Sequence, residues 1–144
     1  MSNKKILYID FDKNNFVDAE GAILTQPPTI SLMANPDWEL HFIRQSNGVM
    51  QTVDLSEAVA YSAAIDNDFL SGTQPMCRTL DTGIDHSGAA SGIIIVSLDA
   101  STETFFAKVD GKNSIPAFFE IRGLDSDDKV IYDYRFRVNA LRSN

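Results

Sequence analysis

Between residues 115 and 140 apolar and polar side chains take turns almost without a break. Ile115, Ala117, Phe119 and Ile121 share one face of 115–123. Val130, Tyr132, Tyr134, Phe136 and Val138 share one face of 130–140, with Asp133, Arg135, Arg137 and Asn139 opposite. A period of two, rich in aromatic and β-branched residues, suits a strand buried on one side and wet on the other. The polar connector Leu124-Asp125-Ser126-Asp127-Asp128 joins the two runs as a hairpin turn. A hairpin this long with one greasy face needs a second layer to cover it, so it predicts a β domain with two sheets.

The rest of the chain reads the same way. Lys5–Phe11 is a strand with Ile6 and Tyr8 on one side and Leu7, Ile9 and Phe11 on the other. Apolar residues on both faces suit either a strand covered on both sides or an edge strand docking on a partner chain. Asp12-Lys13-Asn14-Asn15 ends it, and 16–28, closing on Gln26-Pro27-Pro28, reads as loop. Thr29–Met33 is a short strand. Trp38–Arg44 alternates with Trp38, Leu40 and Phe42 inward, and Ser46-Asn47-Gly48 turns it back into Met50–Val53. In 56–65 the alanines favour a helix capped by Ser56, but Val59, Tyr61, Ala63 and Ile65 alternate, and a strand is the reading adopted. From 66 to 91 the signals are weaker: Phe69 and Leu70 as core candidates, Met76–Leu80 as a short strand, glycines and small residues as turns. Gly92–Leu98 is a buried strand, and Ser101 or Thr102 caps a short helical turn with Phe105, Phe106 and Val109, closed by Gly111.

These runs make eight or nine strands and hardly any helix. The expected fold is all-β: an antiparallel two-sheet β-sandwich, jelly-roll or immunoglobulin-like, with one short helical turn. One domain spans 1–144, of which 1–28 is an extended N-terminal strand and loop. At 144 residues the chain can bury roughly two-thirds of its unfolded surface. Its net charge of −8 points away from nucleic acid and from anionic membrane surfaces. No apolar run is long enough to span a bilayer, and the acidic start has no secretory character. The lone Cys77 precludes an internal disulfide or a cysteine zinc site, which fits a chain made in a cytosol.

Each candidate for chemistry has a simpler reading beside it. Asp10-x-Asp12-x-Asn14 opens like a calcium loop, but Asn15 stands at the sharp-turn glycine position and Gly21 where the bidentate acid belongs. Asp125-Ser126-Asp127-Asp128 gathers three carboxylates, and Asx-turn chemistry explains them as well as a cation does. Asp66-x-Asp68 has the same standing. Asp85-His86-Ser87 holds triad residue types, yet neighbours on one loop cannot place a base between nucleophile and orienter. His41 sits on the polar side of its strand. Arg135 and Arg137, with Arg122 across from them, form either a basic patch or ion pairs with Glu120 and Asp133. Trp38, Tyr61, Tyr132 and Tyr134 would stack a sugar ring if exposed; alternation turns most of them inward. No phosphate loop, nucleophile elbow or cofactor motif is present. The expectation is a protein that is not an enzyme and takes no cofactor and no metal.

The order Trp38-Glu39-Leu40-His41-Phe42, the Gly48 turn and Val53-Asp54-Leu55 leading to 58–66 resembles small β-sandwich modules of phage tail-fibre and baseplate proteins. So does Val96-Ser97-Leu98-Asp99 followed by 102–112, with Gly111-Lys112 closing, and then Ala117-Phe118-Phe119-Glu120-Ile121. The lead 4–28 and the insertion 72–91 depart from that pattern. The resemblance implies a non-enzymatic virion or prophage part that works through protein partners and self-association, with a trimer favoured. It makes Ile6, Tyr8, Ile9 and Phe11 the candidate intersubunit residues. A carbohydrate-binding sandwich, with glycan as ligand, is the alternative.

Overall fold

The computed structural model describes residues 4–31, 37–66, 77–80, 83–97 and 115–141. In chain order its strands are β1 (Lys4–Asp10), β2 (Asn15–Val17), β3 (Thr29–Ser31), β4 (Asp37–Ser46), β5 (Val49–Thr52) and β6 (Ala60–Asp66). They continue as β7 (Cys77–Leu80), β8 (Ile84–Asp85), β9 (Ile93–Ser97), β10 (Ile115–Leu124) and β11 (Val130–Leu141), with a 3-10 turn at Ala89–Ser91 before β9. The helical turn expected over 101–111 lies outside the described residues, as do Phe69, Leu70 and Asp68.

Two sheets result. The first runs β2-β1-β4-β9-β8 with β5 also paired to β4; the second runs β3-β11-β10-β6-β7. The β10–β11 hairpin pairs continuously from Ile115↔Ala140 to Gly123↔Tyr132, and an irregularity follows at Gly123/Leu124. Asn47 and Gly48 take positive φ of 53° and 78° at the β4–β5 turn, the left-handed pair that a tight hairpin requires. The segment that could have been helix is strand β6, because Tyr61, Ala63 and Ile65 fill one inner face while Val59 stays outside. Here burial overrides the helical propensity of the alanines.

The sheets meet through large side chains from alternate positions. Trp38 packs on Phe119 at 4.6 Å, Phe42 on Tyr134 at 5.2 Å and Phe16 on Phe136 at 4.3 Å between ring centroids. Leu7, Ile9, Leu40, Ile94 and Val96 from the first sheet and Ala117, Ile121 and Val138 from the second complete the core. Each large side chain so buried contributes roughly 1.5–3 kcal/mol of transfer free energy. The sandwich is all-β, as the alternation predicts.

Three details differ from expectation. Two strand pairs are parallel, β1 with β4 and β3 with β11. Each is reached by a connection that crosses to the other sheet, so no helix is needed between the partners. The stretch expected as loop contains β2, which doubles back on β1 through a turn with Asn14 at φ 60° and buries Phe16 and Val17. The described residues hold eleven strands where eight or nine are expected, because several are only two to four residues long. Such short strands are fixed by their neighbours rather than by their own period.

Candidate functional site

The acidic clusters are occupied with turns. Asp10 Oδ1 accepts the backbone N–H of Asp12 and of Lys13, each at 3.0 Å. Asp12 accepts from Arg44 Nε at 2.9 Å and Nη2 at 3.0 Å, and this pairing raises the Arg44 pKa. The two carboxylates of the calcium-like stretch therefore face different partners. Asp125 Oδ1 accepts from the N–H of Asp127 at 2.8 Å and of Lys129 at 3.0 Å, an Asx turn of the expected kind. Asp54 and Asp85 make matching arrangements with Ser56 and Ser87, two residues on. In each the serine hydroxyl, then its N–H, holds the carboxyl below the usual range. Asp85-His86-Ser87 is thus one turn whose serine donates to its aspartate, while the His86 ring lies 5.4 Å from Tyr61.

The aromatic rings are committed to packing. Trp38 is wholly buried and its indole Nε1 finds no acceptor among the described residues. Tyr61 donates to Leu55 O at 3.0 Å and Tyr134 to Phe11 O at 3.2 Å. Burial drives both phenol pKa values upward. Tyr132 is half-buried, and burial raises its pKa too. These rings offer a sugar no flat exposed platform.

On the outer face of the second sheet Glu120 contacts Arg122 Nε at 2.9 Å and Arg135 Nε at 3.2 Å, and Asp133 lies 3.4 Å from Arg122 Nε. The arginines at 122 and 135 belong to this cross-strand network, as opposite charges on facing positions should. Arg137 stands apart from it, over the ring of Phe118 at 5.7 Å. On the outer face of the first sheet His41 Nε2 meets Glu39 Oε2 at 2.7 Å, and Tyr8 lies 5.2 Å from the His41 ring. The spacing i, i+2 on one strand is the sequence signal for the Glu39–His41 pair.

Ile6, Tyr8, Ile9 and Phe11 do not form one surface. Ile6 is 46% exposed and Tyr8 is half-buried on the outer face, Ile9 is 0% exposed in the core, and Phe11 packs on Tyr132 and Tyr134. Nor is β1 an edge along its whole length: β4 pairs with all of it, and β2 covers Tyr8–Asp10.

The structure instead singles out the side of the sandwich where β2 and β3 lie. β2 covers one half of the β1 edge, and β3 covers only Asn139–Leu141 of β11. Between them the connector 18–28 passes from one sheet to the other. Lys5 Nζ fastens its far end by donating to Thr29 O at 2.6 Å. Under the connector is a groove of about 320 Å³ lined by Phe16, Ile23, Leu24, Pro27, Pro28 and the β11 segment 135–137, with Asn14, Asn15, Thr25 and Gln26 at its polar rim. Ile23 and Leu24 are 58% and 37% exposed. Sequence reasoning misses this groove, although Pro27-Pro28 marks the reason for it. Prolines have no N–H and cannot extend β3 backwards along β11.

Among the described residues no group of three or more histidine, cysteine or acidic side chains is arranged to hold a metal, and no helix is long and apolar enough to cross a membrane. No protein-family model matches the chain, and no curated protein is found to be related to it.

Proposed function

We propose that this chain is a non-enzymatic β-sandwich module that works through protein–protein contact, as a structural or assembly part of a particle of the tail-fibre or baseplate kind. The observation that carries the reading is the incompletely covered side of the sandwich. There β2 pairs with three of the seven residues of β1, and β3 with three of the twelve of β11, beside a groove with exposed apolar side chains. Sheet edges recruit strands from other chains, and a protein that keeps one open beside an apolar cleft has a means of docking. The candidate acids satisfy local backbone groups, which accounts for them without a reaction. Such a module self-associates, with a trimer favoured, or docks a neighbouring part of the particle in a bacterial cytoplasm or a virion.

Solution mass by size-exclusion chromatography with light scattering, over a range of concentrations, tests the self-association. A symmetric oligomer, its mass rising with concentration toward a trimer, is the expected result. A monomer at every concentration overturns self-assembly.

A further inference from the structure

The β4–β5 hairpin turns on Asn47 and Gly48, with Ser46↔Val49 and Arg44↔Gln51 facing each other across it. Val53 donates its N–H to Phe42 O at 3.3 Å. In a regular strand, residues two apart point their backbone groups to the same side, so Gln51 and Val49 also address β4. The N–H and C=O of Met50 and Thr52 therefore point away from it. Among the described residues β5 is paired with β4 alone, and no other hydrogen bond reaches the backbone of 49–52. Edge strands are commonly guarded by charge, proline or a bulge. β5 has none of these: 45–53 hold no ionisable side chain and no proline, and the pairing with β4 runs in unbroken register. Gln51 and Thr52 are exposed, and Val49 is 59% exposed.

We infer that β5 pairs antiparallel with β5 of a second copy, joining the first sheets of two molecules across a two-fold axis. The inference rests on the self-association reading and names a further contact for it. An axis at Gln51 makes the edge its own complement. Met50 then exchanges both backbone hydrogen bonds with the partner's Thr52, and Thr52 does so with the partner's Met50. Between them Gln51 faces the partner's Gln51 as a close pair without backbone bonds, where side chains approach most nearly. The same register lays Val49 beside the partner's Val53. Charge favours this occupant: a chain of net charge −8 repels its own copies at long range, yet the two edges bring no charge to the contact itself. Salt screens the first effect and leaves the second, so the pairing tightens as salt is added. A two-fold contact closes at two copies and makes a dimer; a trimer needs another surface.

The test measures the solution mass of the full chain and the exchange of its amides by nuclear magnetic resonance, both against protein concentration. A contact this small is transient, so the mass should climb toward a dimer at about 0.1–1 mM protein. The Met50 and Thr52 amides should gain protection in step with it. Gln51→Lys and Gln51→Glu each set like charges face to face and should weaken the dimer about two- to fivefold, the size of a cross-strand charge pair. An equimolar mixture of the two variants should associate more tightly than either alone. Thr52→Pro removes a donor that β4 does not use and should abolish the dimer. An oligomer that ignores all three substitutions, its Met50 and Thr52 amides unprotected, overturns the inference and leaves self-association standing. A monomer at every concentration overturns both. A monomer whose Met50 and Thr52 amides shift only on adding the peptide acetyl-Thr-Val-Thr-Val-Thr-amide assigns the edge to a different chain, and that too overturns the inference.

Discussion

The middle of the sandwich and its β2–β3 side are built from the same kind of strand and end with opposite surfaces. In the middle, Trp38, Leu40, Ile94, Phe119 and Ile121 come from strands paired on both sides and are at most 2% exposed. At the β2–β3 side, strands of three residues cover edges two to four times as long, and proline stops one of them from growing. Lys5 fastens the chain at Thr29, just past the connector, and the connector's residues 23–28 stand over the groove. Stability is thus concentrated where pairing is complete, and the proposed contact surface lies where it is not. Substitutions in the two regions should separate cleanly: large losses of stability in one, loss of binding without loss of stability in the other.

The largest effect is expected at Phe119, wholly buried against Trp38. Phe119→Ala should destabilise the fold by about 3–5 kcal/mol in denaturant unfolding, because it removes a ring from a core that cannot close over the gap. Gly92→Ala comes next. Gly92 has φ 78°, and an added Cβ would lie 2.7 Å from Phe42 O and 2.8 Å from Val53 O. Backbone strain and overpacking together should cost about 2–4 kcal/mol.

Tyr61 gives the middle a pH signature. Its hydroxyl is buried and bonded to Leu55 O, and burial raises its pKa above the ordinary value of 10.0. The folded state therefore keeps a proton that the unfolded chain releases near pH 10. The stability linked to this proton is present in full below about pH 10 and is lost as the pH rises further. Tyr61→Phe should lower stability at neutral pH by about 1–3 kcal/mol, since Leu55 O loses its donor, and should make the alkaline decline shallower. An unchanged alkaline decline would mean that the phenol does not titrate with unfolding. The smallest effect is expected at the groove. Arg137→Ala should change stability by less than about 0.5 kcal/mol, as an exposed position on a sheet surface does. A loss near that of Phe119→Ala would erase the distinction between the two regions.

The middle was legible in the sequence and the side was not, for a physical reason. Phe119, Phe136 and Trp38 sit in runs of alternation long enough to announce both strand and face. β2 and β3 are three residues each, too short for a period, and their pairing depends on neighbours far along the chain. The groove arises from where Pro27 and Pro28 meet β11, a tertiary fact that spacing does not encode. Ile6, Tyr8, Ile9 and Phe11 read as one candidate contact set because both faces of their strand are apolar; Ile6 and Tyr8 lie on the outer face, whereas Ile9 is in the core and Phe11 packs on Tyr132 and Tyr134. At 54–56, where Ser56 read as a possible helix cap, and at 85–87, read as a loop, the structure has matching turns in which a carboxylate two residues before a serine satisfies that serine's N–H locally.

Amide hydrogen exchange along β11, followed residue by residue, tests the account most directly. Tyr134, Phe136 and Val138 face β10 in the ladder, and Asn139 donates to Pro28. Their amides should exchange slowly, while those of Asp133 and Arg137, which point away from β10 and lie beyond the reach of β3, should exchange fast. That alternation is the predicted result. Uniform protection from Asp133 to Asn139 in the isolated monomer would contradict it, because the edge would already be covered and there would be nothing left to dock on.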